Sequence, residues 1–425
     1  MRLHLAYGRT GLWLDLPDDA PVTLIEPQFV PGLPDEQAAI VEAVRAPLGA
    51  PPLGEMVRPD DTVAVVFSDL TRPMPNDRVL PSLLAEIGRA GVPDEQVVLI
   101  NALGTHRPQT EAELRGMLGA EVVDCYRVVQ HDAWDGANLV EVARNSLGKP
   151  VRVNRAYVQA SVRILTGFIE PHLFAGFSGG PKAVLPGIAD IEAILDNHGP
   201  QMIAHPRSTW AVLEGNPIWE EMLAVAQRTR PTFVLNVTLN QTRQITGVFA
   251  GDLEQAHRAG AAFVRRTAMQ PVPALYDVVI TSNSGYPLDL NLYQAVKGMS
   301  AAARIVKPGG DVVVAAECWD GIPNHGEYKR LLWEADSPQA LLDRVMAPGF
   351  RCHDQWEAQV QAQIQLKARV HVYADGLSDE ELRRALVIPC RSIEETLARI
   401  RRRNPQATIA VLPDGPQTVP FLQDA

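Results

Sequence analysis

Several side chains that can transfer protons or bind anions directly follow predicted strands of this chain. Arg72 lies in SDLTRPMP after a buried strand, and His106 lies in GTHRPQT after the next one. A third stretch, EPHLFAGFSGGPKAVLPG, contains His172 and Lys182. Histidine exchanges protons near neutral pH, and the guanidinium group of arginine binds a carboxylate with two hydrogen bonds. These residue types predict acid–base chemistry on a small anionic molecule.

Each of these residues also has an ordinary structural explanation. An aspartate such as Asp69, placed before a helix, is a common N-cap, and a single loop histidine is usually solvated. Arg72 is harder to explain in this way. Pro73 keeps the preceding residue extended, and a cation near a helix start opposes the helix dipole. We therefore expect an anion to bind at Arg72.

The turn from Gly179 to Lys182 favours either a phosphate site or covalent attachment of a ligand to the lysine. A glycine-rich turn before a helix presents backbone N–H groups and positive helix-end charge. The turn is not a P-loop, because the pattern GxxxxGK[ST] is absent. His198 ends the next predicted helix, just before Gly199, and is either a cation favoured by the helix C-terminus or a metal ligand. No HExxH or Cys/His cluster accompanies it, so a metal bound there would take most ligands from elsewhere.

The elements that must position these residues alternate strand, polar loop and helix. Apolar runs predict strands over 62–67, 96–101 and 161–168, with helices between them. This alternation predicts an α/β fold with mainly parallel sheets, in which ligands bind at the carboxyl ends of the strands. His106 and His172 would then meet at one sheet edge. Two histidines placed there can serve opposite faces of a substrate, as a racemase or epimerase requires.

The segment 269–274 contains two prolines and divides the chain into two predicted α/β domains. Residues 1–270 form the first domain and 275–425 the second, with the active site in the cleft between them. The extreme C-terminus is a candidate to pack back on the first domain. In the second domain, Gln294 and Lys297 share one helix face. Surface placement is the default explanation for that pair, and a core position is the simplest one for Trp356.

Composition narrows the class of protein. The 425 residues include 39 basic and 50 acidic side chains, a net charge of −11. This balance argues against nucleic-acid binding and against an anionic membrane surface. The four cysteines form no CxxC pair, which favours a reducing cytoplasm. We find neither a signal-peptide h-region at the start nor an apolar run long enough for a membrane span, so the sequence predicts a cytoplasmic protein.

Taken together, the motifs resemble the nickel-pincer lactate racemase family. SDLTRPMP, GTHRPQT, EPHLFAGFSGGPKAVLPG, DNHG and LYQAVKGM occur in the family's order and cover nearly the whole chain. The resemblance implies a racemase or epimerase of lactate or another 2-hydroxy acid that works by reversible hydride transfer. It also implies nickel held by a pyridinium-3-thioamide-5-thiocarboxylic acid mononucleotide, the nickel-pincer nucleotide. Partner enzymes would synthesise this cofactor. The motifs leave the substrate side chain and the oligomeric state open.

The resemblance also assigns roles residue by residue. His106 and His172 match the catalytic acid–base pair, and His198 matches the single protein ligand of nickel. Lys182 matches the lysine that can carry the cofactor, which binds either covalently or without a covalent link. The remaining matches are assigned to substrate or cofactor: Arg72, Gln294, Lys297, Asp69, Tyr293 and Trp356 to the substrate, and Thr71, Gly179 and Gly180 to the cofactor.

Two other functions fit the same residues. The first is a divalent-metal hydrolase or lyase that uses His106, His172 and His198 as metal ligands; it predicts bound zinc or manganese. The second is a non-catalytic nucleotide-binding module built on the glycine-rich turn, which predicts ligand binding without turnover.

Overall fold

The computed structural model describes residues 1–17 and 19–423, and it contains two six-stranded sheets with helices packed around them. The strands follow in chain order: β1 Arg2–Leu5, β2 Leu12–Asp15, β3 Val22–Leu24, β4 Val63–Ser68, β5 Val97–Ala102, β6 Arg127–Gln130, β7 Leu139–Arg144, β8 Pro150–Asn154, β9 Val162–Phe168, β10 Pro171–His172, β11 Gly176–Phe177, β12 Phe233–Leu239, β13 Ile245–Gly251, β14 Met269–Val272, β15 Tyr276–Ser282, β16 Val306–Ala315, β17 Arg369–Tyr373, β18 Ile388–Pro389, β19 Ile409–Leu412 and β20 Val419–Leu422.

The helices connect and cover these strands. They are α1 Glu36–Arg45, α2 Leu53–Met56, α3 Asn76–Arg89, α4 Glu111–Leu118, α5 Ala120–Cys125, α6 Arg155–Gln159, α7 Ile191–Asn197, α8 Pro200–Ala204, α9 Pro217–Arg228, α10 Leu253–Ala268, α11 Leu292–Ala303, α12 Tyr328–Trp333, α13 Pro338–Met346, α14 Gln355–Lys367, α15 Asp379–Arg384 and α16 Ile393–Arg403. Within the described residues, no helix is both long and apolar enough to cross a bilayer.

The first sheet has the strand order β13-β12-β9-β4-β5-β6. Only the β12–β13 pair is antiparallel. The central strand β4 begins with VAVVF, and all five of these residues are fully buried. A continuous apolar run of this kind is typical of a parallel strand that is covered on both faces. The carboxyl ends of β4, β5 and β9 therefore lie at one edge, where the polar loops begin.

The second sheet has the order β18-β17-β16-β15-β19-β3, and all of its pairs are parallel. Together the two sheets confirm the predicted fold class, α/β with mainly parallel sheets. The edge strand β3 of the second sheet comes from the beginning of the chain. Leu5, Leu14 and Leu16, in and just after the β1–β2 hairpin, are buried against this sheet. We expected β1, β2 and β3 in the first domain. Instead, β3 joins the second sheet, and the β1–β2 hairpin packs on that sheet, because its apolar face is buried there.

The segment that we predicted as a linker forms the strand β14, which pairs with the C-terminal strand β20. The predicted boundary between the two domains, at residues 270–275, stays a prediction. The elements that the sequence did not predict include the antiparallel pair β7–β8 and the helix α9. The helix predicted to end at His198 is confirmed as α7, which begins at Ile191 and not directly after the glycine-rich turn. At the glycine-rich turn itself, Gly180–Ala183 forms a single 3₁₀ turn.

Candidate active site

One cavity is lined by the loops after β4, β5 and β9 and by residues of α11 and α14, so both halves of the chain contribute to it. The space that no protein atom fills is about 880 Å³, part of which is open to solvent. Most of the predicted site residues line this cavity: Asp69, Arg72, His106, His172, Gly179, Lys182, His198, Tyr293, Gln294, Lys297 and Trp356. Thr71 and Gly180 are not among its described lining residues.

His106 forms a hydrogen-bonded chain with Asp69 and Thr71. Its Nδ1 lies 2.7 Å from Asp69 Oδ2, and the Thr71 hydroxyl donates to Asp69 Oδ1 at 2.8 Å. Burial alone would raise the pKa of Asp69, but His106, Arg72 and Thr71 outweigh it, so this pKa is lowered. The ionised carboxylate holds a proton on Nδ1 and leaves Nε2 as a proton acceptor. Thr71 thus acts on the cavity through Asp69.

His172 lies in a short hairpin, β10–β11, and is 4% exposed. Its Nδ1 accepts the backbone N–H groups of Phe174 at 3.5 Å and Ala175 at 3.3 Å. Burial lowers the pKa of His172 well below its usual value, and the charges of Lys182 and Arg72 lower it further. The ring is therefore neutral at physiological pH, with its proton on Nε2.

His198 follows α7 directly and is held by aromatic rings. The helix begins after Asp190, whose side chain accepts the N–H of Ala193. The His198 ring meets Phe174 edge-on, with centroids 5.0 Å apart, and meets Trp356 at 5.3 Å. Its Nδ1 is buried and has no hydrogen-bond partner within residues 1–17 and 19–423. Helix and rings together fix the direction of a nitrogen-bearing ring in the cavity wall.

His198 and Lys182 are both kept from carrying charge. Burial lowers the pKa of His198 well below its usual range, and Lys182 adds to this effect. Burial also lowers the pKa of Lys182 strongly, and the charges of Arg72 and Lys297 lower it further. A neutral imidazole is the form that binds metals, and a neutral amine is the form that reacts as a nucleophile.

The two glycines of the turn are explained mainly by packing. A Cβ on Gly180 would lie 2.5 Å from the His257 ring, and one on Gly179 would lie 2.9 Å from Asn236 Oδ1. Both glycines have positive φ, 76° at Gly179 and 51° at Gly180. The Gly180 N–H donates to Asn236 Oδ1 at 3.1 Å, so this group is already occupied and does not face a ligand. The cofactor-binding roles of both glycines stay predictions.

The α11 side of the cavity carries the predicted substrate residues. Lys297 Nζ donates to Gln294 Oε1 at 2.6 Å, and burial, followed by the charge of Arg72, lowers the pKa of Lys297. The Trp356 indole N–H donates to the Tyr293 hydroxyl at 2.7 Å. Arg72 crosses from the other half of the chain, and its Nη1 is buried without a hydrogen bond in the described part of the protein. Two cations thus face one space that an anion can fill.

Three residues near the cavity escaped the sequence prediction. Glu170 Oε1 lies 3.9 Å from Arg72 Nη1. Phe174 packs between His172 and His198. Glu357 lines the cavity, as Phe174 does. Glu170 and Phe174 lie inside the quoted motif, so their proximity to His172 was the available signal. Glu357 gave none, because a glutamate in the first turn of a helix is common for dipole reasons alone.

No three His, Cys, Asp or Glu side chains of the described residues converge as a metal site. His106, His172 and His198 therefore line one cavity without forming the ligand set that the hydrolase alternative requires. A metal held at His198 would need its other ligands from outside this part of the chain.

Known proteins resemble this chain over nearly its full length. Residues 7–211 match the family described as the lactate racemase N-terminal domain, and residues 272–419 match the lactate racemase C-terminal domain. The lactate racemase of Thermoanaerobacterium thermosaccharolyticum is 35% identical over 420 residues, covering 97% of each chain. The lactate racemase of Lactiplantibacillus plantarum is 35% identical over 384 residues, covering 89% of this chain and 90% of the other.

Solved structures give the same picture. The lactate racemase apoprotein from Thermoanaerobacterium thermosaccharolyticum matches with a TM-score of 0.90 and 34% identity, covering 99% of this chain and 100% of that one. A Thermotoga maritima protein matches with a TM-score of 0.69 and 16% identity, covering 91% and 97% of the two chains. At that identity the second match concerns the fold alone.

Proposed function

This chain belongs to the lactate racemase family, and from that membership we propose that it interconverts the enantiomers of lactate or a related 2-hydroxy acid. The observation that carries the proposal is one cavity lined by both His106 and His172 and by the cations Arg72 and Lys297. Inversion at C2 needs a proton carrier for each enantiomer, and the cations supply a carboxylate site.

Substrate binding would begin at the carboxylate. The guanidinium of Arg72, with a buried Nη1 that lacks a hydrogen bond in the described residues, and the ammonium of Lys297 would hold it from two sides. Gln294 orients the ammonium group by accepting one of its protons. With the carboxylate held, the C2 hydroxyl can point to either histidine, depending on which enantiomer is bound.

The chain's own groups then handle the hydroxyl proton. For one enantiomer, His106 Nε2 takes this proton, and Asp69 stabilises the resulting imidazolium. The planar 2-oxo acid remains held by Arg72 and Lys297 while its other face becomes the reactive one. At the oxygen of the opposite enantiomer, the Nε2–H of His172 donates a hydrogen bond and passes on its proton, which solvent replaces. His106 returns its proton to solvent, so both rings end the turnover neutral, and the reverse reaction uses the histidines in the opposite order.

The proposal includes nickel and the pyridinium-3-thioamide-5-thiocarboxylic acid mononucleotide as cofactor. When bound, this group supplies a reversible acceptor for the Cα hydride. The residues present fit it: His198 offers a neutral ring as one metal ligand, and Lys182 offers an uncharged amine for a covalent link. A cofactor that brings its own sulfur and carbon ligands also agrees with a single protein ligand, and soft sulfur suits a late first-row metal.

The test uses protein made alongside the cofactor-synthesis enzymes and incubated with L-lactate and D-lactate separately. Each should approach an equal mixture of enantiomers, and elemental analysis should find one nickel per chain. Intact mass should show a cofactor-sized adduct that is lost in Lys182→Ala if the link is covalent. A panel of single-enantiomer 2-hydroxy acids extends the assay beyond lactate. Nickel-loaded protein that inverts none of them would contradict the proposal.

A further inference from the structure

Glu357 is a buried carboxyl group that lines the cavity without a partner of its own. It is 3% exposed, and its Oε1 is buried without a hydrogen bond. Its side chain makes no hydrogen bond or ion pair to any residue of 1–17 and 19–423. Its neighbour Trp356 packs on the His198 ring. Unpartnered buried oxygens are rare, so this carboxyl requires an explanation.

Helix capping does not provide that explanation. Glu357 is the third residue of α14, where a glutamate often accepts the N–H of the N-cap residue. The N-cap residue here is Asp354, and α14 has no such side-chain cap. A buried carboxyl that neither caps a helix nor pairs with a cation destabilises the protein alone. A ligand that fills the cavity would relieve this cost.

The charged groups around Glu357 indicate which ligand group it meets. Lys297 on α11 acts on it most strongly, followed by Asp354 before α14, then Arg72 after β4 and Lys182 after β11. Lys297, Arg72 and Lys182 line the same cavity, and the first two are cations there. Burial raises the pKa of Glu357 more than these cations lower it. The carboxyl is thus protonated at neutral pH and can donate a hydrogen bond to an anion.

We propose that Glu357 is a further substrate-binding residue, whose carboxyl group donates a hydrogen bond to the substrate carboxylate beside Lys297. This assignment rests on the proposed function, because that function brings a carboxylate to Lys297. Protonation makes the arrangement workable, since an ionised Glu357 would repel the substrate. Substrate binding is therefore coupled to the proton on Glu357, and affinity falls when this proton is lost at alkaline pH.

The test measures binding of oxamate, an unreactive 2-oxo acid analogue, to the cofactor-loaded full chain by calorimetry. Glu357→Gln keeps a hydrogen-bond donor and should bind within about threefold of wild type at pH 7. Glu357→Met has a similar size and no donor, and should bind about 10–100-fold more weakly, as expected for one hydrogen bond to a charged group. The exposed Glu380→Gln is the matched control and should bind like wild type.

A second measurement separates Glu357 from the titration of Lys297. Lys297→Arg keeps its charge at every pH used. In that background, oxamate affinity should still fall at alkaline pH, and adding Glu357→Gln should remove the fall. If Lys297→Arg does not bind, the carbonyl stretching band of a protonated carboxyl, present in wild type and lost in Glu357→Gln, reports the same proton by infrared spectroscopy.

The outcomes distinguish the two proposals. Unchanged affinity in Glu357→Met, or equal losses in the Met and Gln variants, would overturn the role of Glu357 and leave the proposed function intact. A Glu357→Met protein that loses nickel but keeps its oxamate affinity would assign Glu357 to the cofactor, and this result would also overturn its role in substrate binding. Wild-type protein that binds no oxamate at all would count against the proposed function itself.

Discussion

The two cavity histidines are the same residue type in contrasting surroundings. His106 is 23% exposed through its side chain and pairs with the carboxylate of Asp69. His172 is buried, accepts only backbone N–H groups in the described residues, and faces the cations Arg72 and Lys297. Asp69 therefore orients the His106 ring, whereas burial lowers the pKa of His172 well below its usual value. In the proposed reaction, His106 is suited to hold a proton, whereas His172 is suited to release one.

This difference shows how one fold can place two proton carriers in different surroundings. The loop after β4 provides the carboxylate for His106, while the hairpin β10–β11 provides only amide dipoles for His172. Burial near other cations then keeps His172 neutral. The following predictions test whether both sides are needed and whether their environments account for the difference.

Removal of either histidine should have the largest effect. His106→Ala and His172→Ala should each lower racemisation of lactate by about 10²–10⁴-fold, because each enantiomer needs its own proton carrier. Chiral chromatography of the product measures this loss. His205→Ala, at an exposed histidine, is the control and should retain activity. Full activity in either cavity variant would rule out a two-histidine mechanism.

Asp69→Asn should weaken the His106 side alone. An amide cannot hold the Nδ1 proton or stabilise the imidazolium formed in the reaction, so we expect a loss of about 10²-fold in kcat. The ring nitrogens of isotope-labelled His106 should report the change by NMR, while those of His172 stay as in wild type. An unchanged rate would show that the Asp69 pair does not support proton transfer.

Tyr293 connects the two sides and should have a smaller effect. Its ring lies edge-on to His106 with centroids 6.4 Å apart, and its hydroxyl accepts the Trp356 N–H. Tyr293→Phe leaves that buried donor unpaired, which should cost about 1–3 kcal/mol of unfolding free energy. Chemical denaturation measures this change. In the Trp356→Phe background, where no donor remains, Tyr293→Phe should cost much less, and equal costs in both backgrounds would contradict the pairing.

The buried, neutral His257 predicts a modest pH dependence of stability. Burial lowers the pKa of His257 from 6.5 to about 4. Below pH 6.5 the unfolded chain therefore takes up a proton that the folded chain refuses, so stability falls as the pH falls. Between pH 6.5 and 5.5 this amounts to about 1 kcal/mol for His257. Urea denaturation at both pH values measures the loss, which should shrink in His257→Gln; an identical loss there would contradict it.

The sequence by itself determined the fold class and the family. Apolar runs such as VAVVF and the polar loops after them encode strand, loop and helix locally, and parallel strands bring successive loops to one edge. For this reason Arg72 and His106 were predicted to share an edge, and the structure lines one cavity with both. The motifs identified the family because they record residue types in a fixed order, which needs no knowledge of distances.

Only the tertiary structure decided how these residues are surrounded. Local patterning assigned the beginning of the chain to the first domain and did not predict that β3 joins the second sheet. It suggested a phosphate cradle at Gly180, whereas the fold directs that N–H to Asn236. Glu357 looked like an ordinary first-turn glutamate until α14 was packed beside α11. Burial, partners and acidity depend on contacts between residues far apart in the chain, and periodicity along the sequence carries no information about those contacts.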